Sequence, residues 1–168
     1  DSAMALARMG HRVRVGVVRG FVPYGISRWA PVEHRGHVNV GAFDGIEDIR
    51  QARYFALPGG LMRRVKHRSI DLTVRRLLRE LVAERRPDIV LVHTETIAPS
   101  AVATARELGL PVTVTLHGEN TNLASFSTSG RQDQLARALS EVDRLLVVGK
   151  SLIPYAAALS GRNDHIEV

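Results

Sequence analysis

The sequence contains no cysteine, very little lysine and few aromatic residues, which make up 5% of its 168 residues. Without cysteine the chain has neither a disulfide framework nor a thiolate metal site, and this composition suits a reducing compartment such as the cytoplasm. No stretch approaches the roughly 18 consecutive apolar residues that a membrane-spanning helix requires. With 45% hydrophobic and 24% charged residues, the chain has the composition of one ordinary globular domain.

Arginine supplies nearly all of the positive charge. The formal net charge is +6, and Lys66 and Lys150 are the only lysines among 23 basic residues. Such a charge fits a nucleic-acid or anionic-membrane partner. Arginine is nevertheless spread over nearly every segment, so we expect no nucleic-acid partner. One local basic cluster, residues 63–68, is interpreted as a solvated helix face, with peripheral contact to a membrane surface as the alternative.

One pattern recurs along the chain: a segment with helix-like character, a short polar break, then a run rich in Val, Ile and Leu. It appears in LARMGHRVRVGVV (6–18), LVAERRPDIVLVH (81–93), RELGLPVTVTLHG (106–118) and SEVDRLLVVG (140–149). Strands that read as continuous apolar runs are those covered on both faces. The pattern therefore predicts an α/β fold with a doubly wound, mostly parallel, Rossmann-like sheet.

The spacing of apolar residues also predicts which helix positions face the core. These positions are Ile70, Val74, Leu77, Leu78 and Leu81 in one helix and Leu135, Leu139 and Val142 in another. Gly10 and Gly109 are predicted to end helices, and Pro99 to lie in the first turn of one.

Two segments and both chain ends depart from this rhythm. Residues 19–36 carry prolines, glycines and aromatics and are predicted as a long loop, followed by another strand at 37–43. Residues 117–130 read as a second polar loop, and long loops in compact domains tend to be functional or disordered. The chain opens on a helix and ends in a strand-like run. We therefore expect residues 1–168 to be a single Rossmann-like domain of a longer protein, lacking its first strand.

Polar groups follow three of the predicted strands, at the edge where open parallel sheets bind their ligands. These groups are, in chain order, His93, Thr94 and Glu95, then His117, Gly118, Glu119 and Asn120, and finally Gly149, Lys150 and Ser151. The sequence predicts that His93, His117 and Gly149 share one edge of the sheet and form a site.

The chemistry of these groups fits a polar ligand. An imidazole and a carboxylate can bind sugar hydroxyls or move a proton, and Gly118 would let a ligand approach the backbone closely. Lys150 and Ser151 at a helix N-terminus could hold a phosphate. The plainer alternatives are a half-buried structural histidine at position 93, a solvent-exposed lysine and a serine that caps its helix.

Several other chemistries lack their motifs. The sequence has no GxGxxG after a strand, no GxxxxGK[ST] and no GxSxG, which argues against a dinucleotide fingerprint, a P-loop and a hydrolase nucleophile. The seven histidines include no HExxH or similar pair, so we expect neither a metal site nor a bound cofactor.

Taken in order, the segments LARMGHRVRVGVV, RPDIVLVHTET, ARELGLPVTVTLHGEN, VDRLLVVGKSL and the final HIEV resemble the amino-terminal half of GT-B glycosyltransferases of family 4. The resemblance covers about residues 3–18 and 70–168. It implies an acceptor-binding domain whose partner domain, absent here, holds a nucleotide-sugar donor as co-substrate, and transfer with retention of configuration. The acceptor is then a glycan, a lipid-linked sugar or a small molecule.

The resemblance also implies a role for particular residues. His117 and Gly118 match the family's histidine-glycine pair, in which the histidine lies beside the donor sugar at the reaction centre. Glu119 and Asn120 stand where small or acidic polar residues are frequent. The family often has a serine directly after its next strand, whereas this chain places Gly149 and Lys150 before Ser151.

Two other readings remain open. One is half of a nucleotide-sugar 2-epimerase, which shares the architecture and has a strand like RPDIVLVH, although VTVTLHGEN favours the transferase. The other is a non-catalytic Rossmann-like binding domain with the basic surface as its interface. Neither the oligomeric state nor the donor nucleotide follows from the sequence.

Overall fold

The structure is a computed structural model that describes residues 2–22, 43, 45–56, 63–118 and 129–168. The chain forms two compact units, Asp1–Glu84 and Arg85–Val168. Each unit contains parallel strands flanked by helices, so the predicted α/β class with parallel sheets is confirmed.

The first unit is built on two parallel strands. Its elements are α1 (Ser2–Arg8), β1 (Val13–Phe21), β2 (Ile46–Phe55) and α2 (Arg63–Glu84). The strands pair from Val13 opposite Ile46 to Phe21 opposite Phe55, with one register shift between Val13 and Arg14. Helix α1 ends before Gly10, as predicted, and Gly10 adopts a left-handed φ of 87° that lets the chain turn into β1.

Helix α2 packs on this strand pair through its predicted apolar face. The side chains of Ile70, Val74, Leu77 and Leu81 are buried, and Leu78 is partly buried. The contact with β1 is close, because a Cβ atom added at Gly16 would lie 3.1 Å from Leu77 Cδ2. The helix is also tied to β2 by hydroxyls: Ser69 Oγ accepts the Phe55 N–H at 2.8 Å, and Thr73 Oγ1 donates to the Arg53 carbonyl at 3.2 Å.

The second unit repeats the β-α pattern around a four-stranded sheet. Its elements are β3 (Val90–Val92), α3 (Ala98–Glu107), β4 (Val112–Leu116), α4 (Ser129–Glu141), β5 (Arg144–Val147), a 3-10 turn (Lys150–Leu152), α5 (Ile153–Ser160) and β6 (Ile166–Glu167). The strands are parallel and lie in the order β3-β4-β5-β6. All four carboxyl ends therefore meet at one edge of this sheet.

Strand β4 forms the buried centre of the second unit. Val112, Val114 and Leu116 have no exposed surface, and the predicted core residues Leu135, Leu139 and Val142 are buried as well. At the amino end of β4, Asp143 Oδ2 accepts the Val112 N–H at 2.8 Å and pairs with Arg106. The β-branched run VTVTL thus corresponds to a strand covered on both faces.

The helix boundaries that were predicted in this unit are also confirmed. Pro99 lies in the first turn of α3, where its missing N–H costs nothing because first-turn N–H groups have no partner within the helix. Gly109 follows the helix with a left-handed φ of 63° and donates its N–H to the Arg106 carbonyl.

Two predictions for the first unit are corrected in part, and the rest of each falls on residues that the structure does not describe. Residues 19–21 were predicted as loop but extend β1, because Arg19, Gly20 and Phe21 continue the ladder with β2. Strand β2 itself was missed, since its sequence IEDIRQARYF mixes charged, polar and apolar residues rather than forming an apolar run. The structure does not describe residues 23–36 of the predicted loop or residues 37–42 of the predicted strand. Phe43, the last residue of that predicted strand, is described and is not in a strand. Among the residues that the structure describes, no helix is long and apolar enough to cross a bilayer.

Candidate functional site

Two exposed histidines stand side by side at the carboxyl edge of the second unit's sheet. His93 directly follows β3 and His117 directly follows β4, the two strands being hydrogen-bonded neighbours. Their ring centroids are 6.3 Å apart, with the ring planes at 49°. Both imidazoles are exposed, so one ligand of sugar size can contact both.

The pair affects the protonation of His93. Partial burial disfavours its charged form, and the neighbouring His117 adds repulsion, so the pKa of His93 lies below its ordinary value of 6.5. A neutral imidazole has one nitrogen that donates and one that accepts a hydrogen bond. At neutral pH His93 is therefore suited to binding hydroxyl groups rather than anions.

A buried carboxylate lies beneath this histidine pair. Glu95 is 2% exposed, and its Oε1 accepts the backbone N–H groups of His117 at 3.2 Å and of Gly118 at 3.1 Å. Gly118 has a left-handed φ of 75°, a conformation that glycine adopts without the steric cost of a Cβ atom. The glycine of the histidine-glycine pair is thus explained by backbone geometry.

The segment after β5 lies at the same edge. Gly149 comes two residues after the end of β5, and Lys150 and Ser151, both exposed, begin the 3-10 turn that leads into α5. Gly149 has an extended backbone with φ of −173°, which any residue can adopt. The alternative role of Ser151 as a helix cap is wrong, because Gly149 is the N-cap of the 3-10 turn and Leu152 that of α5, and among the described residues neither start has a side-chain cap hydrogen bond.

The sequence did not single out two further residues near Glu95. Arg131 of α4 is buried and donates to the Thr96 carbonyl at 2.9 Å and to Gln134 at 3.0 Å. Tyr155 of α5 is partly buried, and burial followed by the negative charge of Glu95 raises the pKa of its hydroxyl. Neither had a signal in the sequence, since arginines are common throughout this chain and a tyrosine within a helix is unremarkable.

The remaining predicted site residues divide into two groups. Thr94 is half-buried between His93 and Glu95, whereas Glu119 and Asn120 lie outside the described residues. Within the described ranges, no three His, Asp or Glu side chains come together in a way that could hold a metal ion.

Solved structures with the same fold include two sugar-nucleotide epimerases. One is a UDP-N-acetylglucosamine 2-epimerase, with a TM-score of 0.52, 16% sequence identity and 94% of this chain covered. The other is a UDP-GlcNAc 2-epimerase from Neisseria meningitidis bound to UDP-GlcNAc, with a TM-score of 0.51, 15% identity and 93% of this chain covered. The chain spans 48% and 45% of the length of these two proteins. At such identities the likeness shows a Rossmann-like GT-B architecture and nothing about the reaction.

A search of curated proteins finds no match, but the sequence profile of a protein family covers the whole chain. That profile is the glycosyl transferase 4-like domain, and it matches residues 1–168. The predicted resemblance to the amino-terminal domain of family 4 glycosyltransferases is thereby confirmed, and the chain belongs to the glycosyl transferase 4-like domain family.

Proposed function

We propose that this chain is the acceptor-side domain of a glycosyltransferase that moves a hexosyl group from a nucleotide sugar to an acceptor with retention of anomeric configuration. The observation that carries the proposal is the exposed His117, held by its backbone at the end of a mostly buried strand beside a second imidazole. Rigid presentation of a polar group at a ligand-binding edge is what a reaction centre requires. The family of the chain supports sugar transfer as the reaction.

In this proposal the imidazole of His117 hydrogen-bonds the donor sugar while positive charge develops at the anomeric carbon. Such a bond accelerates the reaction only if it is stronger in the transition state than in the ground state. Neutral His93 and the hydroxyl of Thr94 bind sugar hydroxyls, and exposed Lys150 and Ser151 approach an anionic group. The donor is proposed to be a nucleotide sugar, the kind of ligand that the Neisseria meningitidis epimerase carries.

The test replaces His117 by alanine in the full-length protein. Loss of one hydrogen bond to a charged group costs about 1.5–3 kcal/mol, so we expect turnover to fall roughly ten- to a hundredfold with little change in the acceptor KM. His11, exposed in the first unit, gives the matched control: His11→Ala should leave turnover unchanged. A folded His117→Ala protein with normal turnover would remove His117 from the reaction centre.

The need for an acceptor distinguishes a transferase from the alternative, half of a 2-epimerase. A transferase releases the nucleoside diphosphate only as sugar appears on an acceptor, whereas an epimerase inverts carbon 2 of the nucleotide sugar with no acceptor present. Incubation of full-length protein with UDP-GlcNAc alone, followed by NMR of the sugar, would reveal epimerisation. A protein that catalyses neither reaction with any donor would be a binding domain.

A second proposal is peripheral contact with the inner, cytoplasmic face of a membrane, which is relevant to a lipid-linked acceptor. Helix α2 exposes Val65 by 50% and Leu72 by 62%, with exposed Arg64 and Arg68 on the same stretch. Exposed apolar side chains on the same helix as exposed arginines suit the headgroup region of an anionic bilayer. The double variant Arg64→Glu/Arg68→Glu should lose co-sedimentation with phosphatidylglycerol vesicles. Arg137→Glu, on the exposed side of α4, should retain it, and equal binding by both variants would refute this surface.

A further inference from the structure

The buried carboxylate of Glu95 accepts hydrogen bonds from the backbone that follows β4. Its Oε1 lies within ordinary hydrogen-bond distance of two successive N–H groups, those of His117 and Gly118. These groups come directly after β4, where the strand ladder stops and backbone donors must find another partner. The carboxylate therefore takes the place of the missing strand neighbour.

The surroundings of Glu95 favour this fixed arrangement over contact with a ligand. Only 2% of the residue is exposed, so a substrate has almost no access to it. A buried charge is tolerated only where hydrogen bonds or opposite charge replace its water. The two N–H groups supply these hydrogen bonds. Arg131 supplies a positive charge at the same turn, because its buried guanidinium binds the carbonyl of the adjacent Thr96.

We propose that Glu95 is a positioning residue that sets the backbone of His117 and thereby the place of its imidazole. This inference rests on the proposed function of His117, and it moves Glu95 out of the set of substrate-binding residues predicted from the sequence. What matters is then the reach of the side chain and its ability to accept hydrogen bonds. Its charge and its ability to carry a proton are secondary.

Two substitutions separate reach from charge. Glu95→Gln keeps the length and an accepting oxygen but removes the charge, whereas Glu95→Asp keeps the charge and shortens the side chain by one methylene. A positioning role predicts that the glutamine variant resembles the wild type and that the aspartate variant is defective. An acid-base or substrate-binding role predicts the opposite order.

The first readout needs no activity. In full-length protein, hydrogen exchange at single-residue level should show that the His117 and Gly118 amides exchange about tenfold faster in Glu95→Asp and within about threefold of wild type in Glu95→Gln. The matched control is Asp143→Asn, which alters a carboxylate bound to the other end of the same strand. It should affect Val112 and leave His117 and Gly118 unchanged.

The second readout is kinetic. With the nucleotide sugar and acceptor of the full-length enzyme, kcat should fall about tenfold in Glu95→Asp at nearly constant acceptor KM, and Glu95→Gln should restore it. The pH profile should be the same for the glutamine variant and the wild type. Unchanged exchange in Glu95→Asp, or an inactive Glu95→Gln with normal exchange, would overturn the proposal. If the wild type transfers no sugar, the proposed function fails, and the exchange data still decide whether Glu95 holds this backbone.

Discussion

Gly118 and Gly149 follow neighbouring strands at one edge of the sheet, but only Gly118 has a backbone conformation that favours glycine. Gly118 has a left-handed φ of 75°. Gly149 is extended, with φ of −173°, and a Cβ atom added there would lie 3.9 Å from Ser151 Oγ, an ordinary contact distance. Replacing each glycine by alanine therefore isolates the effect of backbone conformation.

The magnitudes follow from two contributions. Alanine reduces the freedom of the unfolded chain at both positions, which stabilises the fold by about 0.4–1 kcal/mol where the native conformation accepts it. At Gly118 the left-handed conformation adds a cost of about 1–2 kcal/mol. We expect Gly149→Ala to be neutral or stabilising, and Gly118→Ala to have a free energy of unfolding lower than that of Gly149→Ala by about 1–2 kcal/mol.

Urea denaturation followed by circular dichroism measures this difference, with equal slopes required for the comparison. Equal midpoints for the two variants would refute the reasoning, because they would mean that the left-handed turn after β4 is not required by the fold. Loss of stability in Gly149→Ala would contradict the description of the edge after β5, since nothing there should resist a methyl group.

Two further predictions concern other parts of the chain. Because the pKa of His93 is lowered in the folded protein, the unfolded state binds more protons at pH values between that pKa and 6.5. The free energy of unfolding should therefore rise with pH in this window. His117→Gln should raise the pKa of His93 in an NMR titration, and an unchanged pKa would contradict the charge coupling between the two histidines. Gly16→Val should lower the free energy of unfolding by about 1–3 kcal/mol through overpacking against Leu77 and Leu81, whereas an unchanged thermal melt would argue against close packing of β1 on α2.

Much of the second unit could be predicted because its signals are local. The β-branched run VTVTL marks a buried strand, and the glycine at 109 and proline at 99 mark helix ends by their own backbone chemistry. Strand β2 could not be found in this way. Its sequence IEDIRQARYF carries charged side chains that are partly exposed, and its strand conformation depends on pairing with β1 over residues distant in the chain.

The candidate site shows the same division. The rule that ligands bind at the carboxyl ends of parallel strands was enough to bring His93 and His117 to one edge. The rule does not give the direction of a side chain, so Glu95 was grouped with the histidines although it points beneath them to the backbone. The contact between Arg131 and Thr96 joins residues on different elements, and no spacing within either segment encodes it.

The hydroxyl bonds between α2 and β2 have a consequence for association between molecules. The N–H of Ala56 bonds to the Phe21 carbonyl of β1, so the backbone groups of Arg53 and Phe55 point away from β1, and Ser69 and Thr73 occupy them. Outward-pointing N–H and C=O groups on a strand are a template on which another chain can add a strand and start an aggregate. Ser69 and Thr73 of α2 thus prevent another chain from pairing with the end of β2. The composition of α2 alone would not reveal this protective role.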